Sequence, residues 1–90
     1  MKTLRIIISG IVQGIFFRAF IKEEAQNLGL KGYVRNLESG KVEAIIQGKE
    51  EEIKKMIDKC KEGSQSSKVT SIEIKEISNQ EFKEFKIIKF

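Results

Sequence analysis

Apolar and polar residues alternate near the start of the chain, and the pattern then changes to a helical period. The alternation predicts a first strand over about residues 3–12, whose apolar face is formed by Leu4, Ile6, Ile8 and Val12. The helical spacing that follows is ended by Gly29. The apolar positions of this helix are Phe17, Phe20, Ile21, Ala25 and Leu28.

The alternating spacing of a strand and the helical spacing of apolar residues both recur in the rest of the chain. A hairpin turn at residues 37–40 is predicted to join two strands. A second helix has one apolar face, formed by Ile53, Met56, Ile57 and Cys60, and an otherwise charged surface. The predicted elements are strands at 30–36 and 42–47, a helix at 49–62, a fourth strand at 69–77 and a short terminal strand at 85–90.

The predicted order is β-α-β-β-α-β plus a final strand. This order describes a ferredoxin-like α+β two-layer sandwich, in which an antiparallel sheet carries two helices on one face. No repeat, linker or low-complexity stretch interrupts it, so residues 1–90 are interpreted as a single domain. Because this fold hosts many functions, it does not decide the activity by itself.

Charge and size limit the kind of site that the domain can hold. The chain has 17 basic and 13 acidic residues, a formal net charge of +4, which favours anionic partners but is far short of a nucleic-acid-binding signature. A chain of 90 residues has a radius of gyration of roughly 12 Å. We therefore expect a shallow surface cradle that recognises a small chemical group.

The sequence lacks the residues that several kinds of catalytic chemistry need. There is no histidine, and no carboxylates have the spacing of a metal site, so we expect neither a metal nor a cofactor. Cys60 is in register with the apolar face of the second helix, which favours a core residue over a nucleophile. The apolar run at 6–8 is too short for a signal peptide or a membrane segment. The single cysteine fits a reducing compartment, so we expect a cytoplasmic protein, and a monomer is the default expectation.

The most informative segment is Gly10-Ile11-Val12-Gln13-Gly14-Ile15-Phe16-Phe17-Arg18. It leads from a strand, through a glycine turn, into the first turn of a helix, where unpaired N–H groups and the helix dipole favour an anion. The guanidinium of Arg18 adds a fork that matches two phosphate oxygens. The segment lacks the Lys-Ser/Thr ending of a nucleotide-binding P-loop. Taken singly, Arg18 is typical of a solvated arginine and Gly14 of a turn.

A second segment, Gly32-Tyr33-Val34-Arg35-Asn36 followed by Gly40 and Val42-Glu43, surrounds the predicted hairpin. Asparagine is common at such a position for purely local reasons. In the predicted sandwich, however, the end of the second strand and the loop after the first strand can lie at a shared edge of the sheet. In that arrangement Asn36 would face the cradle at Arg18.

Together the two segments resemble acylphosphatase, and the likeness extends over essentially the whole chain. The motifs are Gly-x-Val-Gln-Gly-Ile-x-Phe-Arg at 10–18 and Gly-Tyr-Val-Arg-Asn-x-x-x-Gly-x-Val-Glu at 32–43. The resemblance implies hydrolysis of a small-molecule acyl phosphate, with inorganic phosphate as product and competitive inhibitor. It implies that Arg18 binds the phosphoryl group and that Asn36 orients the attacking water. The backbone amides between Gln13 and Arg18 would complete the cradle, at Gln13, Gly14, Ile15, Phe16, Phe17 and Arg18.

The chain departs from the family pattern at two places. Leu37 stands where threonine commonly follows the asparagine, and no proline follows the second helix. Neither change touches the atoms assigned to catalysis. We expect Leu37 to loosen the hairpin and to affect stability or rate modestly.

Two other functions fit parts of the pattern. An RNA-binding domain of this fold needs stacked aromatic residues on its central strands, but residues 42–47 contain none. A non-catalytic phosphate-binding or interaction module would keep the cradle without turnover. The presence of both Arg18 and Asn36 favours the enzyme.

Overall fold

Two helices and five strands follow one another in the predicted order in a computed structural model that describes residues 1–89. The last strand is shorter than the predicted 85–90, and position 90 lies outside the described residues. The elements are β1 (Lys2–Ile11), α1 (Ile15–Asn27), β2 (Lys31–Asn36), β3 (Val42–Gly48), α2 (Glu50–Glu62), β4 (Lys68–Ile77) and β5 (Phe85–Ile87).

The strands form one sheet in the order β4-β1-β3-β2-β5. The predicted antiparallel arrangement is confirmed for β1 to β4, but β5 pairs with β2 in parallel, so the sheet is mixed. The chain leaves β4 at one edge and must reach β5 at the other. It crosses near the start of β1, where Thr3 Oγ1 lies 2.7 Å from Asn79 Oδ1 and Gln47 Nε2 donates to the Gln80 carbonyl at 2.8 Å. Because this crossing reaches the end of the sheet at which β2 begins, β5 runs in the same direction as β2.

Both helices cover one face of the sheet, as predicted. The helix α1 packs over β2 and β5, and α2 packs over β4, β3 and β1. Every second residue of a strand points into the space between the sheet and the helices, so these side chains form one hydrophobic core. Each large aliphatic side chain buried there contributes about 1.5–3 kcal/mol. The fully buried side chains include Ile6, Ile8, Ile21, Val34, Ile46, Ile53, Met56, Cys60 and Phe85. The radius of gyration over Cα atoms is 11.6 Å.

The position of β3 brings the two sequence motifs together. Because β3 lies between β1 and β2 and is antiparallel to both, β1 and β2 run in the same direction. Their carboxyl ends therefore lie at the same end of the sheet. The loop that leads from β1 into α1 and the hairpin that follows β2 are neighbours there.

Candidate active site

The amino terminus of α1 has the backbone of an anion site. Gly14 precedes the helix with φ 123° and ψ 165°, a conformation that is essentially restricted to glycine. A Cβ placed on Gly14 would meet no atom of the described chain within 4 Å, so open space faces the backbone at this point. Among residues 1–89, no side chain caps the helix and no acidic residue occupies its first turn. The first N–H groups of α1 are therefore available to a ligand.

Arg18 lies at the end of this first turn and is half-buried. Its Nε donates to the Gly14 carbonyl at 3.4 Å, so the side chain folds back towards the loop rather than extending along the helix. The neighbouring Phe17 is only 3% exposed and anchors the first turn in the core, whereas Ile15 and Phe16 are exposed. Phe17 can thus contribute to a ligand site only through its backbone.

Gln13 connects the loop to the hairpin. Its Nε2 donates to the Leu37 carbonyl at 2.8 Å and lies 3.4 Å from the Lys41 carbonyl. The side chain of this predicted cradle residue therefore tethers two loops to each other. Only the backbone amide of Gln13 remains as a candidate phosphate ligand.

Asn36 is the last residue of β2 and pairs with Val42 of β3. It occupies the same face of the strand as the buried Val34, and this is the face that α1 covers. Its Oδ1 is buried and has no hydrogen-bond partner within residues 1–89. A buried carbonyl oxygen without a partner costs about 1–3 kcal/mol, and such an atom in a folded protein calls for an explanation. Asn36 thus lies on the helix-covered face at the end of β2, and its role opposite Arg18 stays a prediction.

The hairpin that follows Asn36 is closed by backbone hydrogen bonds. The Leu37 N–H donates to the Lys41 carbonyl at 2.8 Å, and the Gly40 N–H donates to the Leu37 carbonyl at 3.1 Å. Gly40 has φ 94°, in the left-handed region that favours glycine and that short hairpin loops often require. Leucine at position 37 leaves this backbone pattern intact, and its expected modest effect on rate or stability stays a prediction.

A charged network on the other face of the sheet was not foreseen from the sequence. The Glu43 side chain is 3% exposed and accepts from Arg5 Nε at 2.6 Å and from Arg35 Nε at 2.7 Å. Burial raises the pKa of this carboxyl, but hydrogen bonds and charge from Arg5 and Arg35 outweigh burial and hold the pKa below its ordinary value. The pairing of Arg35 with Glu43 was readable from the hairpin register. The contact of Arg5 with Glu43 could be predicted only with knowledge of the strand order, because it depends on β1 lying beside β3.

The thiol of the chain is enclosed in the core and is not presented to this site. Cys60 is fully buried on α2, and burial raises the pKa of its thiol to about 12, which makes it a poor nucleophile. In the stretch from residue 1 to 89, no group of three His, Cys, Asp or Glu side chains is placed to hold a metal ion. Over the same stretch, no helix is long and apolar enough to cross a membrane.

The surface near Asn36 is only slightly concave. A depression of about 260 Å³ is lined by Arg35, Asn36, Leu37 and Glu38. A larger one of about 630 Å³, which includes Met1 and Gly48 in its lining, lies at the opposite end of the sheet. Its size does not make it the better candidate site, because neither sequence motif reaches it.

Comparison with known proteins gives the family. A family model described as Acylphosphatase matches residues 4–87. The chain belongs to the acylphosphatase family. An acylphosphatase of Acaryochloris marina is 40% identical over 86 residues, which are 96% of this chain and 92% of the relative. A crystal structure of acylphosphatase from Bacillus subtilis superposes with a TM-score of 0.95 at 38% identity, covering 99% of this chain and 100% of that one.

The acylphosphatase fold also occurs within a longer protein. The crystal structure of T. kodakarensis HypF matches 100% of this chain with a TM-score of 0.86 and 33% identity, but the match is only 12% of HypF. The Bacillus subtilis protein, in contrast, has the same extent as this chain. The expected acylphosphatase family and ferredoxin-like fold are confirmed, and the roles of individual site residues remain predictions.

Proposed function

We propose that the chain hydrolyses acyl phosphates to a carboxylate and inorganic phosphate, with Arg18 and the amides of residues 13–18 holding the phosphoryl group and Asn36 holding the attacking water. Membership of the acylphosphatase family and the fold support this class of reaction. The observation that carries the mechanism is the buried Oδ1 of Asn36, which has no hydrogen-bond partner within residues 1–89 and lies at the end of the sheet where α1 begins.

The phosphoryl group binds through geometry and charge together. Successive N–H groups in the first turn of α1 point at its oxygens, and the helix dipole adds a partial positive charge. The guanidinium of Arg18 contributes a full charge and two parallel donors. These donors are in place before the reaction, so they stabilise the charge that spreads over the phosphoryl oxygens in the transition state.

Asn36 holds the water without opposing the phosphate. A carboxamide is neutral, so it does not repel the dianion, and it accepts through Oδ1 and donates through Nδ2. A water O–H that points at Oδ1 satisfies the buried oxygen. The water oxygen is then directed at phosphorus in line with the acyl oxygen that leaves.

The bonds formed and broken in the reaction balance without a general base from the protein. The water oxygen forms a bond to phosphorus while the bond from phosphorus to the acyl oxygen breaks, and the acyl group departs as a carboxylate. The conjugate acid of this leaving group has a pKa of about 4, like a side-chain carboxyl, so the carboxylate leaves without a proton. The proton of the water passes to a phosphoryl oxygen, and the product is dihydrogen phosphate.

Three further properties belong to the proposal. The mechanism uses no metal or cofactor, because the fixed donors neutralise the phosphoryl charge. All the groups involved come from one chain, which is consistent with one domain acting as a monomer. The single cysteine, buried and unpaired, fits a reducing cytoplasm.

Steady-state hydrolysis of benzoyl phosphate, with and without EDTA, tests the function. We expect turnover that EDTA does not change and that inorganic phosphate inhibits competitively, with large losses in Arg18→Ala and Asn36→Ala. A folded wild-type protein that binds phosphate but gives no turnover would contradict the proposal and identify a phosphate-binding module instead. Turnover retained in both variants would contradict the site.

A further inference from the structure

The buried carboxylate of Glu43 joins the two strands that lead to the candidate site. Glu43 lies on β3, the strand between β1 and β2. One of its oxygens accepts from Arg5 on β1 and the other from Arg35 on β2, at 2.6 Å and 2.7 Å. Hydrogen bonds between ionised groups at such distances are short and strong. The carboxylate thus holds one strand on each side of its own.

The bridge lies next to Asn36 in the register. Arg35 pairs directly with Glu43, and the following pair is Asn36 with Val42. Because side chains alternate along a strand, Arg35 and Asn36 point to opposite faces of the sheet from adjacent backbone positions. A shift of the strand end at Arg35 therefore moves Asn36 as well.

The network is more than an exposed ion pair. The Glu43 side chain is 3% exposed, whereas the Arg5 and Arg35 side chains are 42% and 38% exposed. The carboxylate is therefore the fixed centre, and the two guanidiniums reach it from the solvent side. An exposed pair would impose little order on the backbone, but a buried carboxylate must keep its partners.

We propose that Glu43 is a positioning residue for catalysis, which sets the place of the Asn36 carboxamide relative to the phosphate cradle through Arg35. This inference rests on the function proposed above, in which Asn36 orients the water. Glu43 does not touch the substrate, because it lies on the sheet face opposite to Asn36. Its removal should therefore affect the step that depends on Asn36 and leave the binding of phosphate by Arg18 largely unchanged.

The variant Glu43→Gln tests the positioning role with little change in side-chain volume. Glutamine keeps one acceptor oxygen but loses the charge, so one of the two arginines loses its partner. Small misplacements of a reacting group cost up to about 100-fold in rate, and we expect kcat for benzoyl phosphate to fall roughly tenfold. The inhibition constant of inorganic phosphate should change less than about twofold, since the cradle donors stay in place.

Glu50→Gln is the matched control. Glu50 also pairs with a basic residue of β1, Lys2 at 3.1 Å, but its side chain is 59% exposed and the pair lies away from Asn36. We expect its kinetics to equal those of the wild type. A kcat for Glu43→Gln that matches the wild type, or a loss of phosphate binding equal to the loss of kcat, would overturn the positioning role.

A double-mutant cycle separates positioning from a general structural effect. If Glu43 acts through Asn36, Glu43→Gln should lower kcat in the wild type but not further in Asn36→Ala, because the group that it positions is gone. An equal loss in both backgrounds would overturn the inference. Unchanged turnover in Asn36→Ala alone would instead contradict the proposed function, so the two failures are distinguishable.

Arg35→Leu covers the case in which Glu43→Gln does not fold. This variant keeps the Glu43 carboxylate paired with Arg5 and removes only the link to β2. We expect the same pattern, a fall of kcat that disappears in the Asn36→Ala background. Wild-type kcat in folded Arg35→Leu would overturn the inference.

Discussion

Gln13 donates from its Nε2 to the Leu37 carbonyl at 2.8 Å, which ties the loop before α1 to the hairpin after β2. One loop carries the proposed phosphate donors and the other follows Asn36 directly. A single side chain therefore holds together the two parts of the candidate site from the exposed end of the sheet. On the far face, the Glu43 network joins the strands that lead to the same parts.

Arg18→Lys should separate charge from geometry at the cradle. Lysine keeps the positive charge but loses the planar fork, so it donates to one phosphoryl oxygen at a time. Removing a preorganised donor costs about 10²–10³ in kcat, and we expect Arg18→Ala to lose at least this much. Arg18→Lys should retain part of the phosphate affinity and still lose most of kcat. Equal kcat/KM for Arg18→Lys and the wild type would contradict a bidentate role.

Asn36→Asp and Asn36→Ala test the neutrality of the water-binding group. Aspartate has nearly the shape of asparagine, but its negative charge faces the phosphoryl group. We expect both variants to lower kcat by about 10² or more, with weaker inhibition by inorganic phosphate only in Asn36→Asp. Steady-state rates and phosphate inhibition constants measure both effects. Tighter phosphate binding in Asn36→Asp would contradict the placement of Asn36 beside the cradle.

Most of the fold could be predicted from the spacing of apolar residues, because this spacing shows which residues of each strand and helix face the core. The direction of β5 was not, since it depends on where the chain crosses from β4, and that crossing is set by long-range contacts of Asn79 and Gln80. The backbone donors of the site followed from the Gly14 turn and the helix that begins at Ile15. The tether at Gln13 and the contact between Arg5 and Glu43 join residues 24 and 38 positions apart, and no local pattern marks them.

Gly14→Ala should destabilise the protein without a steric clash. A Cβ at this position has open space around it, but φ 123° and ψ 165° are strained for any residue with a side chain. We expect a loss of about 1–3 kcal/mol in the free energy of unfolding, or a shift of the loop that relieves the strain. Urea denaturation and the phosphate inhibition constant together distinguish the two results. Unchanged stability with unchanged phosphate binding would contradict a requirement for glycine.

The activity itself should vary little with pH. An arginine side chain stays charged and a carboxamide does not ionise between about pH 5 and 9, so neither proposed catalytic group changes its state there. The mechanism contains no general base that needs to be deprotonated. We expect kcat/KM to be flat over this range after correction for ionisation of the substrate. A bell-shaped profile with a limb near pH 7 in the folded enzyme would require a titrating group that the proposal lacks.

The free energy of unfolding, in contrast, should fall at acid pH, because Glu43 becomes protonated there. The two arginines hold the pKa of this carboxyl below its unfolded value of 4.5, so the folded state binds the proton less readily than the unfolded state. The stabilisation is then fully present above about pH 4.5 and is lost as the pH falls through the lower, folded pKa. Glu43→Gln should be less stable than the wild type at pH 7, and its urea midpoint should fall less between pH 5 and about pH 3. Glu50→Gln serves as the control: Lys2 also lowers the pKa of that carboxyl, but solvent screens this exposed pair, so its acid-side profile should depart from that of the wild type much less than that of Glu43→Gln. Parallel profiles for Glu43→Gln and the wild type would mean that the carboxylate is not held ionised by Arg5 and Arg35.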